Sequence, residues 1–413
     1  MPGYYIWTVG CQMNKAESER LGAYLELRGY QSVASPEEAD LVVLNSCVVR
    51  QSAENRVVNK LANLRPLEKS RPELVIALTG CLVDSNREEL QKRFPQVDYF
   101  LKPGELPDWL GKSQSPVLPE HPSVATFVPI MQGCNQFCSY CIVPYRRGRE
   151  RSRPVAEVVA EIEELVRRGV REVTLLGQNV DAYGHDLPDH PDLAALLEEL
   201  NGIEGLARLR FLTNHPKDMS GRLIDAVARL EKVCEQLYLP VQSGDNGILS
   251  AMRRGYTVEQ YRELVSEIRR RVPEVALSTD VIVGFPSESG EQFEHTLELL
   301  RKLRFDTVHI AAYSPRPGTL AARKLEDDVL PAEKKERLTL TEELQKTIAG
   351  ELNARLLGNS VEVLVEGKEK GKWWGRTRTG KLVFFREGKD LQGKLAPVII
   401  EKTSPWSLTG RLK

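Results

Sequence analysis

The sequence predicts an α/β protein in three parts: an N-terminal domain on a parallel sheet, a central barrel-like run of six βα units, and a small C-terminal β-barrel. Three observations carry this expectation. Over residues 1–115, apolar runs alternate with stretches of helical periodicity in the order strand–helix–strand–helix–strand, the pattern of parallel strands joined by crossover helices. From 123 to 350 a strand–helix alternation recurs six times. From 351 to 413 it gives way to short β-rich runs separated by glycine-containing turns, as in a small all-β module. A chain of 413 residues has room for two or three such domains.

In the first part, strands are expected at Tyr4–Val9, Leu41–Leu44 and Leu74–Leu78, with helices at Ala16–Leu27 and Ser52–Leu64. Each strand runs into a cysteine, as Gly10-Cys11, Asn45-Ser46-Cys47 and Thr79-Gly80-Cys81, spaced 36 and 34 residues apart. In a parallel sheet all carboxyl ends lie along one edge, and neighbouring strands are about 5 Å apart, so three such thiols can converge. A disulfide would use two and strand the third. The pattern therefore favours a three-cysteine metal site over three unrelated thiols. Five prolines between Pro103 and Pro122, interspersed with Gly, Ser and Gln, mark a linker and domain boundary.

The barrel strands are expected at Phe127–Met131, Glu172–Leu176, Arg208–Leu212, Gln236–Leu239, Ala276–Val283 and Thr307–Tyr313. Helices follow at Val155–Arg168, Leu193–Leu200, Gly221–Leu230, Val258–Val272 and Glu291–Leu303. Six units are two short of a closed eight-stranded barrel, which leaves either a partial barrel or two unrecognised strands. The first strand leads into Cys134-Asn135-Gln136-Phe137-Cys138-Ser139-Tyr140-Cys141, three thiols at C-x3-C-x2-C spacing. A structural zinc site takes four ligands, and no fourth Cys or His follows within the next forty residues. Three thiolates leave one corner of a metal centre open, as a reactive site requires. The alternative is three cysteines packed as small apolar groups. Polar words close the other strands: Gly177-Gln178-Asn179, Thr213-Asn214-His215-Pro216, Pro240-Val241-Gln242-Ser243-Gly244, Thr279-Asp280 and Gly284-Phe285-Pro286. His215 beside Pro216 reads as a loop residue ahead of a general base, and Cys234 as a buried small residue.

Five arginines and one acid, Arg146, Arg147, Arg149, Arg151 and Arg153 around Glu150, follow the cysteine loop. They suit phosphate contacts to an RNA backbone; a solvated turn before a helix is the alternative. Net charge is −1, but residues 351–413 hold 13 Lys and Arg against 7 Asp and Glu, so a basic module sits on an acidic body of net −7. Its strands are expected at Val361–Val365, Lys372–Thr377, Leu382–Arg386, Leu395–Glu401 and Ser407–Leu412, after a charged helix over Pro331–Leu357. This is the pattern of an oligonucleotide-binding barrel. Trp373, Trp374, Phe384 and Phe385 alternate with Lys372, Arg376, Arg378, Lys381 and Arg386, a composition that stacks bases and holds phosphates. About half of these aromatics are expected to fill the barrel core instead. No apolar run reaches eighteen residues, and Tyr4-Tyr5-Ile6-Trp7 leaves no room for a signal peptide, so neither a membrane span nor secretion is expected. Seven cysteines then read as reduced thiols or ligands in a cytoplasmic protein.

The cysteine loop, with Met131-Gln132-Gly133 before it and Ile142-Val143-Pro144-Tyr145 after it, resembles the signature of the radical S-adenosylmethionine (SAM) enzymes. Gly10-Cys11-Gln12-Met13-Asn14 and Thr79-Gly80-Cys81 are similar to the N-terminal motifs of one of its subfamilies, the methylthiotransferases. At the middle cysteine that subfamily commonly has Asn-Thr-Cys with Ile-Arg soon after, where this chain has Asn45-Ser46-Cys47-Val48-Val49-Arg50. The C-terminal module is similar to the TRAM domain of RNA-modifying enzymes. The resemblance covers the whole chain and implies a radical-SAM partial barrel open on one side to a macromolecule. It implies one [4Fe-4S] cluster on Cys134, Cys138 and Cys141, whose open iron binds SAM, and an auxiliary [4Fe-4S] cluster on Cys11, Cys47 and Cys81. Gln178, Asn179, Gln242, Arg253 and Asp280 are carried over as lining of the SAM pocket. Many radical-SAM enzymes have Gly-Gly-Glu where this chain has Gly177-Gln178-Asn179, so no carboxylate stands ready for the SAM amino group. Arg146, Arg147, Arg149, Arg151, Arg153, Trp373, Trp374, Arg376 and Arg378 are the expected RNA contacts.

Ala311-Ala312-Tyr313-Ser314-Pro315-Arg316-Pro317-Gly318-Thr319 resembles the tRNA-acting branch of the family. The implied reaction adds a methylthio group to carbon 2 of isopentenyl-adenosine beside the anticodon. One SAM methylates sulfur associated with the auxiliary cluster; a second is split to a 5′-deoxyadenosyl radical that removes the hydrogen. The implied partners are the tRNA anticodon stem-loop, an electron donor such as flavodoxin or ferredoxin, and a sulfur donor, with the enzyme acting as a monomer. Methylthiolation of threonylcarbamoyl-adenosine or of a ribosomal-protein aspartate is the alternative within the family. An iron–sulfur RNA-binding sensor without catalysis, or a zinc-dependent RNA-binding protein, is the alternative outside it.

Overall fold

The computed structural model describes residues 1–49, 51–83, 86–110 and 117–413; Arg50 and the middle of the proline-rich linker lie outside them. Two units emerge. The first comprises Met1–Pro122, Gln132–Asn135 and Cys141–Glu150; the second comprises Ser123–Met131, Gln136–Tyr140 and Arg151–Lys413.

In the first unit, β1 (Gly3–Thr8), β2 (Gln31–Ser32), β3 (Leu41–Ser46), β4 (Val75–Gly80) and β5 (Tyr99–Leu101) form one parallel sheet in the order β2-β1-β3-β4-β5. β3 is central and buried at every position, as its uninterrupted apolar run requires of a strand covered on both faces. Helices α1 (Gln12–Leu27) and α2 (Gln51–Ser70) provide crossovers. Val57 and Leu61 of α2 pack with Val42, Leu44, Ile76 and Leu78, all fully buried. The short edge strands β2 and β5 and the helix α3 (Arg87–Arg93) were not legible in the periodicity. Registers align Thr8 with Asn45 and Asn45 with Thr79, so the three cysteine-bearing turns leave one edge of the sheet.

In the second unit, β6 (Ala125–Pro129), β9 (Glu172–Leu176) and β10 (Arg208–Phe211) form one parallel sheet. A second consists of β11 (Gln236–Tyr238), β12 (Ala276–Val283) and β13 (Thr307–Ala312). A bridge between Leu209 and Val233 joins them into the expected six-stranded partial barrel. Short strands β7 (Met131–Gln132) and β8 (Arg151–Ser152) bracket the cysteine loop in sequence; α4 (Val143–Arg147), between them, belongs to the first unit. The covering helices are α5 (Val155–Arg167), α6 (Leu193–Asn201), α7 (Gly221–Arg229), α8 (Asn246–Ala251), α9 (Val258–Arg271) and α10 (Gly290–Leu303). Thr257 with Gln260 and Ser289 with Gln292 form reciprocal capping boxes, which fix the starts of α9 and α10.

After α11 (Leu320–Lys324) and the long α12 (Pro331–Ala354), five strands close a small barrel. They are β14 (Ser360–Glu369), β15 (Lys372–Thr377), β16 (Leu382–Arg386), β17 (Leu395–Thr403) and β18 (Leu408–Leu412). Alternation divides the aromatics as expected: Trp373 and Phe385 enter the core with Val383 and Ile400, while Trp374 and Phe384 face each other across β15 and β16 on the outer side.

The small barrel docks at the amino-terminal ends of the large barrel's strands. Arg208 and Arg210, near the start of β10, are buried there. Arg208 donates to the Arg376 carbonyl at 2.6 Å and to the Glu362 carboxylate at 3.0 Å. Arg210 donates to the carbonyls of Thr377 and Arg378 at 2.8 and 2.7 Å, and pairs with Glu172 at 2.8 Å. Arg378 to Glu235 and Lys381 to Asp306 complete the seam. Cys234 is buried beside it. Among the described residues, no helix is long and apolar enough to cross a membrane.

Candidate functional site

At the carboxyl edge of the N-terminal sheet, two glycines let the strand ends approach. A Cβ at Gly10 (φ +135°) would lie 2.7 Å from Cβ of Cys47, and one at Gly80 (φ +92°) would lie 2.3 Å from the Ser46 carbonyl oxygen. An amide pair ties the turns together. Asn14, fully buried, donates from Nδ2 to Asn45 Oδ1 and to the Ser46 carbonyl, both at 2.8 Å, and Asn45 returns a bond to the Asn14 carbonyl at 2.9 Å. The Cys11 thiol donates to Asn14 Oδ1 at 3.2 Å. Ser46 donates to the Thr79 carbonyl at 2.5 Å and accepts from the Leu82 N–H at 3.1 Å, so its hydroxyl serves the turn directly.

Cys47 and Cys81 are buried and Cys11 is exposed. Burial pushes the Cys81 thiol up to about 11, against the pull of the Arg147 guanidinium beside it. Among the described residues, no three Cys, His, Asp or Glu side chains are gathered to hold a metal ion. A four-iron cluster binds one thiolate per iron and so spans more space than a single ion. Three cysteines at adjacent turns, with a buried guanidinium to balance thiolate charge, are a donor set that fits such a cluster.

The loop Cys134–Cys141 is held from several sides. In the first unit, the Cys134 N–H donates to the Gly148 carbonyl at 3.1 Å, and Asn135 donates twice to the Glu150 carboxylate at 2.9 Å. Gly133 (φ +85°) has no room for a side chain: a Cβ would lie 2.0 Å from the Arg149 carbonyl oxygen. In the second unit, Arg254 donates to Cys138 Sγ at 3.2 Å and to the Pro240 carbonyl at 3.0 Å. Tyr256 accepts from Arg254 Nε at 3.0 Å and steadies it. Ser139 donates to the Ala251 carbonyl at 2.7 Å, and Gln136 to Asp218 at 2.5 Å.

Around the carboxyl ends of β9 and β10 lies a buried polar group. Asn179 donates to Asp218 at 2.7 Å, while Asn214 and the His215 N–H donate to Asp181 at 2.5 and 2.8 Å. Burial pushes the Asp181 carboxyl up to about 7 and lowers His215 to about 3, the latter helped by Arg254, so the imidazole is neutral. His215 Nδ1 accepts from the Lys217 N–H at 3.3 Å, which places its proton on Nε2. Among the described residues, three atoms here, Asn179 Oδ1, Asn214 Oδ1 and His215 Nε2, are buried without a hydrogen-bond partner. Two acceptors and a donor left unsatisfied fit a polar ligand such as the amino-acid end of SAM.

Residues 128–300 match the Radical SAM superfamily, residues 3–102 match the uncharacterized protein family UPF0004, and residues 354–413 match the TRAM domain. A tRNA-2-methylthio-N(6)-dimethylallyladenosine synthase from Dehalococcoides mccartyi (strain CBDB1) is 58% identical over 412 residues, covering 100% of this chain and 99% of its own. This chain belongs to the radical SAM methylthiotransferases. Synthases of the same name from Roseiflexus sp. (strain RS-1) and Moorella thermoacetica are 51% and 44% identical, each over 99% of this chain and over 89% and 98% of theirs. Among solved structures, the radical SAM methyltransferase TsrM from Kitasatospora setae superposes with a TM-score of 0.58 at 16% identity, covering 78% of this chain and 77% of that one. That likeness is one of fold.

In this methylthiotransferase the residues expected at the SAM pocket stand as follows. Gln178 is half-buried and Asn179 buried. Gln242 is held at φ +75°, its N–H donating to the Asp280 carbonyl at 2.9 Å. Asp280 accepts from the Tyr238 hydroxyl at 2.5 Å. Arg253, at φ +58°, is exposed, whereas Arg254 is the arginine that reaches Cys138. The expected RNA contacts divide likewise. Arg149 and Arg151 are exposed, Arg146 and Arg153 half-buried, and Arg147 buried. Trp374 lies under the Arg376 guanidinium at 5.8 Å, and Trp373 is in the core. Arg376 pairs with Glu366, and Arg378 with Glu235. Sequence reading singled out neither Arg254 nor Asp181. Their types are common, and only the fold brings them to the thiols and strand ends.

Proposed function

We propose that this methylthiotransferase places a methylthio group on carbon 2 of an N6-dimethylallyl (isopentenyl) adenosine beside the anticodon of tRNA. The reading is carried by two sets of three cysteines in one chain whose full-length relatives are synthases of that modification. Carbon 2 of adenine bears no acidic proton, so side-chain acid–base chemistry does not reach it and a cofactor supplies the reactivity. Cys134, Cys138 and Cys141 would hold the [4Fe-4S] cluster that binds SAM, and Cys11, Cys47 and Cys81 a second one. When bound, these groups would supply one-electron chemistry at SAM and a site for the sulfur.

The chain's own part is positioning. Arg254 directs a cation at Cys138 from a site walled by Tyr256 and Pro240. Asn179, Asn214 and His215 offer the unsatisfied atoms that would orient SAM. Arg149 and Arg151, with the outer face of the small barrel, would grip the RNA backbone. An external electron donor of the flavodoxin or ferredoxin kind and a sulfur donor complete the cycle, and the enzyme would act as a monomer in the cytoplasm.

The test is one anaerobic reaction per variant, with 5′-deoxyadenosine and methylthio-nucleoside both measured by mass spectrometry. Cys138→Ala is expected to give neither product, and Cys47→Ala to give deoxyadenosine without RNA thiolation. A well-folded Cys47→Ala protein unable to cleave SAM would overturn this division of roles. A methylthio group found on threonylcarbamoyl-adenosine would move the substrate to the sibling reaction.

A further inference from the structure

Arg147 lies six residues after Cys141, in the arginine run that reads as a surface feature. Its side chain is instead 3% exposed. Two of its donors hold Glu17 of α1, at 2.6 and 3.2 Å, and the guanidinium also faces the sulfur of Cys81 and lies near Cys11. Glu17 stands on the helix that Cys11 caps. Ile142, next to Cys141 in the chain, is buried in the N-terminal core and anchors the segment that carries Arg147 inward.

Withdrawing a guanidinium from water costs several kcal/mol, and one carboxylate partner seldom returns it in full. On the surface the same pair would be worth little, so stability alone does not account for its burial. Thiolates do account for it. Three of them at one sheet edge would place negative charge where water is scarce, and Arg147 is the cation turned toward them.

We propose that Arg147 is a positioning residue of the N-terminal cysteine site, a guanidinium clamped by Glu17 that balances the thiolate charge and orients the Cys81 sulfur. This rests on the reading that Cys11, Cys47 and Cys81 hold an iron–sulfur cluster. It also means that the chain segment leaving the SAM-binding loop supplies part of the second site.

The test uses full-length protein with Cys134, Cys138 and Cys141 changed to Ala, so that iron reports on the N-terminal site alone. Iron per chain and the midpoint potential, followed by electron paramagnetic resonance, are compared for that parent, Arg147→Lys, Arg147→Gln and the pair Arg147→Gln with Glu17→Gln. A nearby cation favours the reduced, more negative cluster. Arg147→Gln is therefore expected to lower the reduced-to-oxidised ratio about tenfold at fixed potential, 59 mV for one electron, and Arg147→Lys to restore most of it. The double variant leaves no unpaired buried carboxylate. In it a lowered ratio, or loss of iron from a folded protein, supports the proposal. Unchanged iron and potential in the double variant would overturn it. A parent that binds no iron would instead defeat the reading of the three cysteines as a cluster site.

Discussion

Replacing Arg210 with Met should loosen the small barrel from the large one. Arg210 is 6% exposed and Glu172 5%. The guanidinium bonds Glu172 at 2.8 and 3.2 Å, Gln236 at 2.5 Å, and the carbonyls of Arg378 and Thr377 at 2.7 and 2.8 Å. Removing one partner of a buried ion pair costs about 3–5 kcal/mol, because the other charge stays buried. Arg208 lies 4.0 Å from the Glu172 carboxylate and replaces part of the lost attraction, so the lower end applies: about 3 kcal/mol, or over a hundredfold in the docking equilibrium.

Urea unfolding followed by fluorescence of the module's tryptophans measures the loss, and limited proteolysis between α12 and β14 measures release of the module. Changing Glu172 to Leu in the same chain should recover much of the loss, since an apolar pair of similar volume often equals a buried ionic one. Arg411→Met is the control: its pair with Glu401 is 61% and 50% exposed, and its removal should change stability by under about 0.5 kcal/mol. An Arg210→Met protein within about 0.5 kcal/mol of the parent would refute the assignment of the docking to this network.

Two further perturbations address RNA and pH. Lys372, Arg386 and Arg411 occupy exposed positions on neighbouring strands beside Trp374 and Phe384. Changing each to Gln should lower the slope of log affinity for tRNA against log salt by about one unit. Trp374→Ala should cost about 1–3 kcal/mol with little change in slope, and SAM cleavage without RNA should continue in all four. An unchanged slope in the triple variant would assign the backbone contacts to Arg149 and Arg151 instead. For pH, burial raises Asp181 from 3.8 to about 7, so within that window the folded protein keeps a proton that the unfolded chain has released. Its contribution therefore falls as pH rises toward 7. Asp181→Asn should gain stability relative to the parent between pH 5 and pH 8, and a parallel pair of pH profiles would show that Asp181 does not carry the proton.

Much of the architecture was legible because it rests on periodicity. β9, β12, β15 and β16 span the stretches their apolar patterns indicate, and the cysteines follow the strands that deliver them. The glycines at 10, 80 and 133 were legible as words but not as reasons, since only the close approach of Cys47, Ser46 and Arg149 shows why a side chain is excluded. Arginine was the least legible residue. Arg253 and Arg254 are adjacent and alike, yet the left-handed backbone at Arg253 turns it outward while Arg254 is sealed against Cys138. In the run after the cysteine loop, Arg147 goes in, Arg153 is spent on the Pro129 carbonyl and Glu161, and Arg151 faces water. A charge in the sequence announces only that a partner is needed; the fold decides whether that partner is water, carboxylate or phosphate.

The place of the small barrel bears on what the enzyme can accept. It sits at the amino-terminal ends of the large barrel's strands, whereas Cys138, Arg254 and the unsatisfied atoms of Asn179, Asn214 and His215 belong to the carboxyl ends. The longest strand of the large barrel, β12, has 8 residues and spans about 26 Å from end to end at 3.3 Å per residue. A nucleoside entering the pocket cannot also touch the module. A folded RNA would have the reach to do both, its reacting base at one end of the barrel and its backbone at the other. The six-charge surplus of the module lies away from the reacting centre, whereas Arg149 and Arg151 follow the cysteine loop in sequence. A backbone grip at both places would carry no sequence information and would leave selection of the base to the pocket.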